Sequence, residues 1–238
     1  MRAHPFLQEP DAMKLNLPSL LTFNGGYVDT AGFLALQGLF TAHVTGNFVT
    51  LGATLVSGST GAIAKLLALP VFCVVVLAAG AARRLMLRAH APALKILLGA
   101  QWLLLAVGAA LAIRMGPFAD GDAWPAIVTG MILVMAMAIQ NAVHRLHLPD
   151  ALPTTLMTGT VTQLMLHLAN RLVGDDAWRA GGPSRFANMA WTVVTFALGC
   201  GAAAGLYLIG GVWAFALPPM LIAAALLVDE EKAMEKAM

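Results

Sequence analysis

The chain has 238 residues, of which 59% are hydrophobic and only 11% charged, and its mean hydropathy is +0.79. This composition excludes an ordinary soluble globular domain, and the net charge of +2 gives no indication of a nucleic-acid partner. Long apolar runs between short charged patches predict an all-α polytopic membrane protein, with the lipid bilayer as a partner. A membrane β-barrel is excluded because stretches such as 66–82 are continuously apolar rather than alternating.

The chain begins with a polar tail, residues 1–16, in which Pro5, Pro10 and Asp11 break any signal-peptide core. A single transmembrane domain, 17–228, and a charged tail, 229–238, follow. The transmembrane domain contains eight apolar segments. They are 18–39, 47–58, 62–82, 94–113, 125–144, 156–170, 186–208 and 211–228.

Two of these segments are poor membrane spans. Segment 47–58 gives about 18 Å of helix, against a hydrocarbon core of about 30 Å, and segment 156–170 is interrupted by Thr, Gln and His side chains. Each follows a motif of the form T-x-x-x-T-G, and a repeated polar interruption in two halves of a membrane protein indicates a binding or transport site. The two copies are Thr41-Ala-His-Val-Thr-Gly-Asn47 and Thr154-Thr-Leu-Met-Thr-Gly-Thr160.

The distribution of Lys and Arg distinguishes two topologies. If all eight segments crossed the membrane, nine basic residues would face five. If segments 47–58 and 156–170 re-enter instead, all but Lys65 and Arg114 of the 14 basic residues lie on one side. The positive-inside rule favours this second topology, with six spans and both termini cytoplasmic.

Three crossings in each half make the second half inverted relative to the first. The predicted fold is therefore six transmembrane helices plus two short re-entrant or half-helix segments. It forms an inverted 3+3 repeat, with repeat one at 17–114 and repeat two at 124–228. Thr41, Thr45 and Gly46 align at one constant offset with Thr154, Thr158 and Gly159.

Asp29 lies in the first apolar segment, without a charged neighbour in sequence. An ionisable side chain at that depth costs at least ~2.5 kcal/mol and indicates a function by default. Asp29 is therefore a candidate proton carrier or cation ligand. The alternative is structural: Gly25-Gly26 interrupts the helix, and Asp29 caps the turn that restarts it.

The T-G motifs supply the other half of the candidate site. A half-helix that begins inside the membrane presents backbone amides and a positive dipole end to a solute. The alternative is simple helix packing through small residues. The candidate binding residues here are Thr45, Gly46, Asn47, Thr158, Gly159 and Thr160.

Asn141 lies near the position in the second half that corresponds to Asp29, beside Gln140. Arg145 follows Asn141 by one helical turn. Asn141 is a further candidate solute ligand, and Arg145 is a candidate ion-pair partner of Asp29 across the pseudo-symmetry axis. The alternative is that Arg145 only marks the cytoplasmic end of its span.

Two motif blocks then give a specific resemblance. The sequence resembles the YoaK-like family, whose domain of unknown function is called DUF1275, over about residues 17–228. The resemblance implies a small bacterial inner-membrane protein and no assigned activity. The blocks are Gly25-Gly-Tyr-Val-Asp29 with Phe40, Thr45-Gly-Asn47 and Leu51-Gly52, and Gln140-Asn-Ala-x-x-Arg145 with Thr154-Thr155, Thr158-Gly159-Thr160 and Thr162.

The leading hypothesis is a transporter or channel for a small solute, with its site between the two T-G helix starts near Asp29. The alternative is a non-transporting membrane protein, such as an assembly partner, lipid-binding module or sensor. His43 and His167 lack further ligands at i+3 or i+4, so no metal site is predicted. No enzyme motif and no cofactor fingerprint is present. The sequence leaves a homo-oligomer open.

Overall fold

The computed structural model describes residues 16–155, 157–174 and 176–235, with side chains for all of these except 176–182 and 228–235. Every regular element in these ranges is helical, and each predicted apolar segment overlaps one α-helix. The predicted N-terminal tail, apart from Asn16, lies outside the described residues, as does the end of the charged tail, 236–238. The helices are α1 (Leu17–Ala35), α2 (Asn47–Ser57), α3 (Ala62–Arg88), α4 (Ala93–Met115), α5 (Trp124–His147), α6 (Thr158–Leu172), α7 (Asp176–Gly210) and α8 (Leu217–Glu235).

Helix α1 is continuous from a well-defined start. The Asn16 side chain accepts a hydrogen bond from the Ser19 amide over 3.0 Å, which satisfies one of the free amides of the first turn. Gly25 and Gly26 do not interrupt the helix, so that part of the structural alternative is wrong. Both glycines instead allow close contact, because a Cβ atom at either position would overlap a carbonyl oxygen of a neighbouring segment.

Four stretches of the described residues are long and apolar enough to cross a membrane: Ala62–Arg88, Ala93–Met115, Trp124–His147 and Pro183–Leu227. The chain is therefore a helical protein of membrane type. The last stretch runs from within α7, through a 3-10 turn, into α8. The α-helix is interrupted at Gly211, where φ is +54°. Helix α1 carries two polar side chains, Asn24 and Asp29, and both are buried.

The packing follows a regular pattern. Helix α1 packs against α7 and α8, whereas α5 packs against α3 and α4. The short helix α2 lies on α3, and the short helix α6 lies on α7. Each short helix buries little of its own surface: α2 buries Asn47 and Thr54, and α6 buries Thr160 and Leu164.

Three connections meet at one end of the bundle, here called the Asp122 end. The Gln37 side chain, after α1, donates to the Phe118 carbonyl oxygen over 3.0 Å. The Asp122 carboxylate accepts from the amide of Gly61, just before α3, over 2.9 Å. The buried ammonium group of Lys65 donates to the Gln37 carbonyl oxygen over 2.7 Å. These contacts tie the α1–α2, α2–α3 and α4–α5 connections into one unit.

The opposite end, here called the Asp150 end, holds the start of α1 and the α5–α6 connection. Asn16 and Asp150 line a common cavity there. Helix α5 runs from one end of the bundle to the other, because it begins two residues after Asp122 and ends three residues before Asp150. Its 24 residues span about 36 Å.

Candidate functional site

The Asp29 carboxylate is bound by the first residues of the first T-G motif. Its Oδ1 atom accepts hydrogen bonds from the backbone amides of Thr41 (2.7 Å), Ala42 (2.8 Å) and His43 (3.4 Å), and from the Thr41 hydroxyl (3.4 Å). The side chain is only 6% exposed. Asp29 therefore acts as a cap, as the structural alternative expected, but for the turn at 41–43 rather than for a restart within α1.

One oxygen of this carboxylate is left for other partners. All four hydrogen bonds end on Oδ1, and among the described residues none is made to Oδ2. Asp29 lines a cavity of about 310 Å³ between α1 and α7 whose walls contain no Lys or Arg. Oδ2 is therefore the carboxylate atom available to a molecule in this cavity. The lining residues are Asp29, Thr30, Phe33, Leu34, Phe40, His43, Phe196 and Cys200.

The first T-G motif shapes the wall of this Asp29 cavity. The buried Asn47 side chain accepts from the Phe40 amide (2.9 Å) and donates to the Phe40 carbonyl oxygen (2.8 Å). A Cβ atom at Gly46 would lie 3.0 Å from the Phe40 ring, so this position suits glycine. The Thr45 side chain is exposed. Asn47 and Gly46 thus hold Phe40, which packs against Phe33 at a centroid distance of 4.9 Å.

The second T-G motif lies elsewhere. Asn141 accepts a hydrogen bond of 2.7 Å from the hydroxyl of Thr155, the second residue of this motif. Thr158 and Gly159 are exposed, and the buried Thr160 hydroxyl has no partner among the described residues. None of these residues lines the Asp29 cavity. The eight residues predicted from sequence therefore do not converge on one cavity.

The two connections nevertheless reach the same face of α1. Thr41 binds Asp29, and the backbone of Thr154 lies against Gly25. Gly25 and Asp29 are four residues apart in a continuous helix, so they share one face about 6 Å apart along the axis. The first residue of each T-G motif thus contacts the same face of α1.

The predicted ion pair between Asp29 and Arg145 is not formed within the described part of the chain. Arg145 is exposed in the last turn of α5, near the Asp150 end. The partners of Asp29 come instead from the Thr41–His43 backbone. An exposed guanidinium group keeps its hydration, whereas burial beside Asp29 would remove it.

A buried amide cluster lies near Gly25, and sequence analysis identified only one of its members. Gln140 Oε1 accepts from Asn24 Nδ2 (2.8 Å) and from Gln101 Nε2 (2.9 Å), and Gln140 Nε2 donates to the Leu21 carbonyl oxygen (2.8 Å). All three amide side chains are fully buried. A lone amide in an otherwise apolar helix is itself a signal of this kind, because such groups need partners inside a membrane.

A second cavity, of about 190 Å³, lies at the Asp150 end between α1 and α7. Two of its lining residues, Trp191 and Thr195, bury a polar side-chain atom without a hydrogen-bond partner in the described residues. Sequence analysis missed this cavity because its walls come from three separate segments. Its lining residues are Asn16, Pro18, Ser19, Thr22, Asp150, Ala151, Leu152, Asn188, Trp191, Thr192 and Thr195.

Close backbone contact separates the two cavities. A Cβ atom at Gly26 of α1 would overlap the Phe196 carbonyl oxygen, and one at Gly199 of α7 would overlap the Phe23 carbonyl oxygen. Phe196 belongs to the wall of the Asp29 cavity, and Thr195, one residue earlier, belongs to the wall of the other. The α1–α7 interface is thus open near both ends and closed in between.

The comparison with protein families agrees with this helical architecture. The model of the family described as "Protein of unknown function (DUF1275)" matches residues 17–228, which include almost all the described helices. The chain belongs to the DUF1275 family. This match confirms the resemblance to the DUF1275 family that the two motif blocks indicated. For this DUF1275 chain, no curated protein and no solved structure gives a significant match.

Proposed function

We propose that this chain is a transporter or channel for a small solute in the bacterial inner membrane, and that the solute moves along the α1–α7 interface. The observation that carries the proposal is the pair of cavities on that interface. They lie toward opposite ends and are separated by the contacts of Gly26 and Gly199. Two cavities divided by one constriction form the arrangement expected of a solute path with a gate, which a small shear between two packed helices can open.

The proposed topology has six crossings, by α1, α3, α4, α5, α7 and α8, with both termini cytoplasmic. Its support is that the Asp122 end gathers the α1–α2, α2–α3 and α4–α5 connections. The Asp150 end carries the start of α1 and the exposed Arg145. In this topology the Asp150 end is cytoplasmic, and α2 and α6 are the half-helices of re-entrant segments.

The proposed inverted repeat is supported by matched contacts in the two halves. The packing of α1 on α7 and α8 corresponds to that of α5 on α3 and α4, and α2 on α3 corresponds to α6 on α7. Asp29 binds Thr41, the first residue of the first T-G motif, and Asn141 binds Thr155, the second residue of the other motif. These pairs match the order of elements expected for two related halves.

In this mechanism the glycine contact is the gate. Small residues allow two helices to approach closely, and small shear movements between packed helices change access to a site between them. Movement of α7 against α1 at Gly26 and Gly199 would connect the Asp29 cavity with the cavity at the Asp150 end. Asp29, anchored through Oδ1, stays in place and offers Oδ2 to the solute or to a coupled proton.

The test is uptake into proteoliposomes that contain the purified full chain, with a panel of labelled cations, anions, zwitterions and neutral polyols. We expect saturable uptake of one class, and loss of that uptake in Gly199→Ala, whose Cβ atom would displace the Phe23 carbonyl oxygen. If the folded wild-type protein takes up none of these solutes, with or without a pH gradient, the transport function is rejected.

The topology has a separate test. In a background in which Cys73 and Cys200 are replaced by serine, single cysteines at Ser59 and Asp150 report the two ends of the bundle. We expect an impermeant maleimide to label Ser59→Cys from the periplasmic side and Asp150→Cys only in inverted vesicles. Labelling of both positions from one side would overturn the six-crossing topology.

The competing function is a non-transporting membrane protein: an assembly partner, lipid-binding module or sensor. The hydrogen bonds of Asn47 favour it, because both polar atoms of that side chain bind the Phe40 backbone, as expected for structural support. Folded protein that transports nothing is the outcome that this function predicts in the uptake experiment. We propose neither an enzymatic reaction nor a cofactor for this chain.

A further inference from the structure

The Asp29 cavity combines a buried carboxylate with an apolar, aromatic wall. Within the described part of the chain, no Lys or Arg lines this cavity, so no such cation of the protein neutralises Asp29 there. The hydrogen bonds to Oδ1 stabilise the anion but leave its charge in place. A buried anion without a counter-cation is costly, and a bound cation or proton lowers that cost.

We propose that the Asp29 cavity binds a small organic ammonium ion, with the charged group at Oδ2 and an apolar body against Phe33, Phe40 and Phe196. This inference rests on the proposed function for the identity of the site and adds the chemical class of the solute. An ammonium group can donate to the free carboxylate oxygen, and the faces of aromatic rings attract a nearby cation.

The composition of the wall excludes other classes of solute. Inorganic cations such as Mg²⁺ or Ca²⁺ need six or more oxygen ligands. Apart from the Asp29 carboxylate, this wall offers only the hydroxyl group of Thr30 among side-chain oxygens. Anions would be repelled by Asp29. Four of the eight lining side chains are Phe or Leu, so they suit a solute with a hydrocarbon body.

The size of the cavity limits the solute further. A volume of about 310 Å³ lies at the lower end of the range for ligand pockets, roughly 300–1,000 Å³. A single-ring amine is the matching size. Phe33 and Leu34 stand at the rim, where they are 39% and 44% exposed, so such a molecule can enter between α1 and α7.

The cavity at the Asp150 end has charge of the same sign. Among the described residues, its one charged lining residue is Asp150, and none of its lining residues is Lys or Arg. The buried Thr195 hydroxyl there has no described partner and can accept from a passing ammonium group. Within the described residues, each of the two cavities along α1 and α7 thus carries one carboxylate and no Lys or Arg, which suits a path for cations.

The test is direct binding of phenethylammonium to the purified full chain in detergent, measured by calorimetry. The comparison ligands are 2-phenylethanol, which has the same ring without the charge, and phenylacetate, which has the opposite charge. We expect saturable one-to-one binding of the amine at neutral pH, and at least tenfold weaker binding of both comparison ligands.

The decisive variant is Asp29→Asn, because its amide oxygen still accepts from Thr41 and Ala42 while the charge is lost. We expect amine binding to fall at least tenfold in this variant. Binding should fall less than threefold in Asp120→Asn, which makes the same chemical change at an exposed residue that lines neither cavity. If Asp29→Asn does not fold, Phe33→Leu at the exposed rim gives a second measurement, with binding weakened about threefold to tenfold.

Acidification gives a third measurement. Asp29, His43 and Cys200 are the titratable groups of the wall. Protonation of Asp29 removes the negative charge, and protonation of His43 adds a positive one. Amine binding should therefore weaken steadily as the pH falls. Equal affinity at all pH values, or equal affinity for the amine and the alcohol, would overturn the inference.

The result of the amine-binding test can be distinguished from the result of the uptake test for the proposed function. Amine binding in detergent without any uptake in liposomes keeps the site and rejects the transporter. Uptake of anions or polyols by a protein that does not bind the amine keeps the transporter and rejects the ammonium site.

Discussion

The backbone amide of Thr41 donates a hydrogen bond of 2.7 Å to Oδ1 of Asp29, twelve residues earlier in the chain. This contact folds the connection after α1 back toward the middle of that helix. Consequently, the first T-G motif begins beside a buried carboxylate rather than at the end of the bundle. Because Oδ1 carries all the hydrogen bonds, the same residue supports the fold and leaves Oδ2 for a solute.

The double role of Asp29 predicts different effects for two substitutions. Asp29→Ala leaves the buried amides of Thr41 and Ala42 without an acceptor, which costs about 1–3 kcal/mol for each group. Asp29→Asn keeps an acceptor and should cost much less. We expect the midpoint of thermal unfolding in detergent to fall clearly for Ala and by only a few degrees for Asn. Equal midpoints for the two variants would show that the Oδ1 hydrogen bonds contribute little.

Asp122 predicts a dependence of stability on pH. Partial burial raises the pKa of its carboxyl group, but the amides of Ile63, Gly61 and Ala62, with Lys65 nearby, outweigh this and hold the pKa below its usual range. The pKa is thus lower in the folded than in the unfolded state. The resulting stabilisation is complete above the unfolded pKa, about 4, and is lost as the pH falls through the lower, folded pKa.

We therefore expect Asp122→Asn to lower the free energy of unfolding by about 1 kcal/mol at neutral pH, since Asp122 caps the start of α3. The difference between wild type and variant should shrink below about pH 4. Chemical unfolding at a series of pH values measures it. A constant difference across the series would contradict the assignment.

The amide cluster predicts non-additive effects. Gln140→Leu removes the acceptor of Asn24 and Gln101, so each loses a buried hydrogen bond, and we expect a loss of about 2 kcal/mol. Replacing Asn24, Gln101 and Gln140 together by Leu also removes the amide groups that the single change leaves unpaired. The triple variant should therefore lose less stability than Gln140→Leu. Unfolding of the single and triple variants in the same detergent decides this. A triple variant that loses the sum of three single effects would argue against a shared network.

The α1–α7 contact predicts opposite effects for two glycines of the same helix. Gly199→Ala would place a methyl group against the Phe23 carbonyl, and we expect overpacking to cost about 1–3 kcal/mol. Gly205 faces open space. Gly205→Ala should therefore be neutral or stabilise the helix by up to about 1 kcal/mol. The midpoints of thermal unfolding of the two variants test this. Equal midpoints for Gly199→Ala and Gly205→Ala would show that the contact at Gly199 contributes little.

Apolar run length predicted the helices well because it is a local property of the chain. The segments 94–113 and 125–144 correspond closely to α4 and α5. The short segments 47–58 and 156–170 correspond to the short helices α2 and α6. A run of apolar residues forms a helix in a membrane whatever surrounds it, because its backbone groups must be satisfied internally.

The candidate site was predicted less completely. Asp29 was identified because a lone carboxylate in an apolar segment is unusual. Its partners were not, because hydrogen bonds to Thr41 and Ala42 depend on how the chain folds back after α1. The ion pair with Arg145 was expected from pseudo-symmetry alone. This ion pair does not form because the Arg145 side chain is exposed near the Asp150 end.

The sequence by itself determined the helical membrane class, the order of the helices and the presence of two polar motifs, since these follow from local composition. Only the tertiary structure decided that Asn24, Gln101 and Gln140 share hydrogen bonds, and that two cavities lie on one interface. The physical reason is that burial of a polar group requires a partner, and here the partners are 39 and 116 residues apart in the chain.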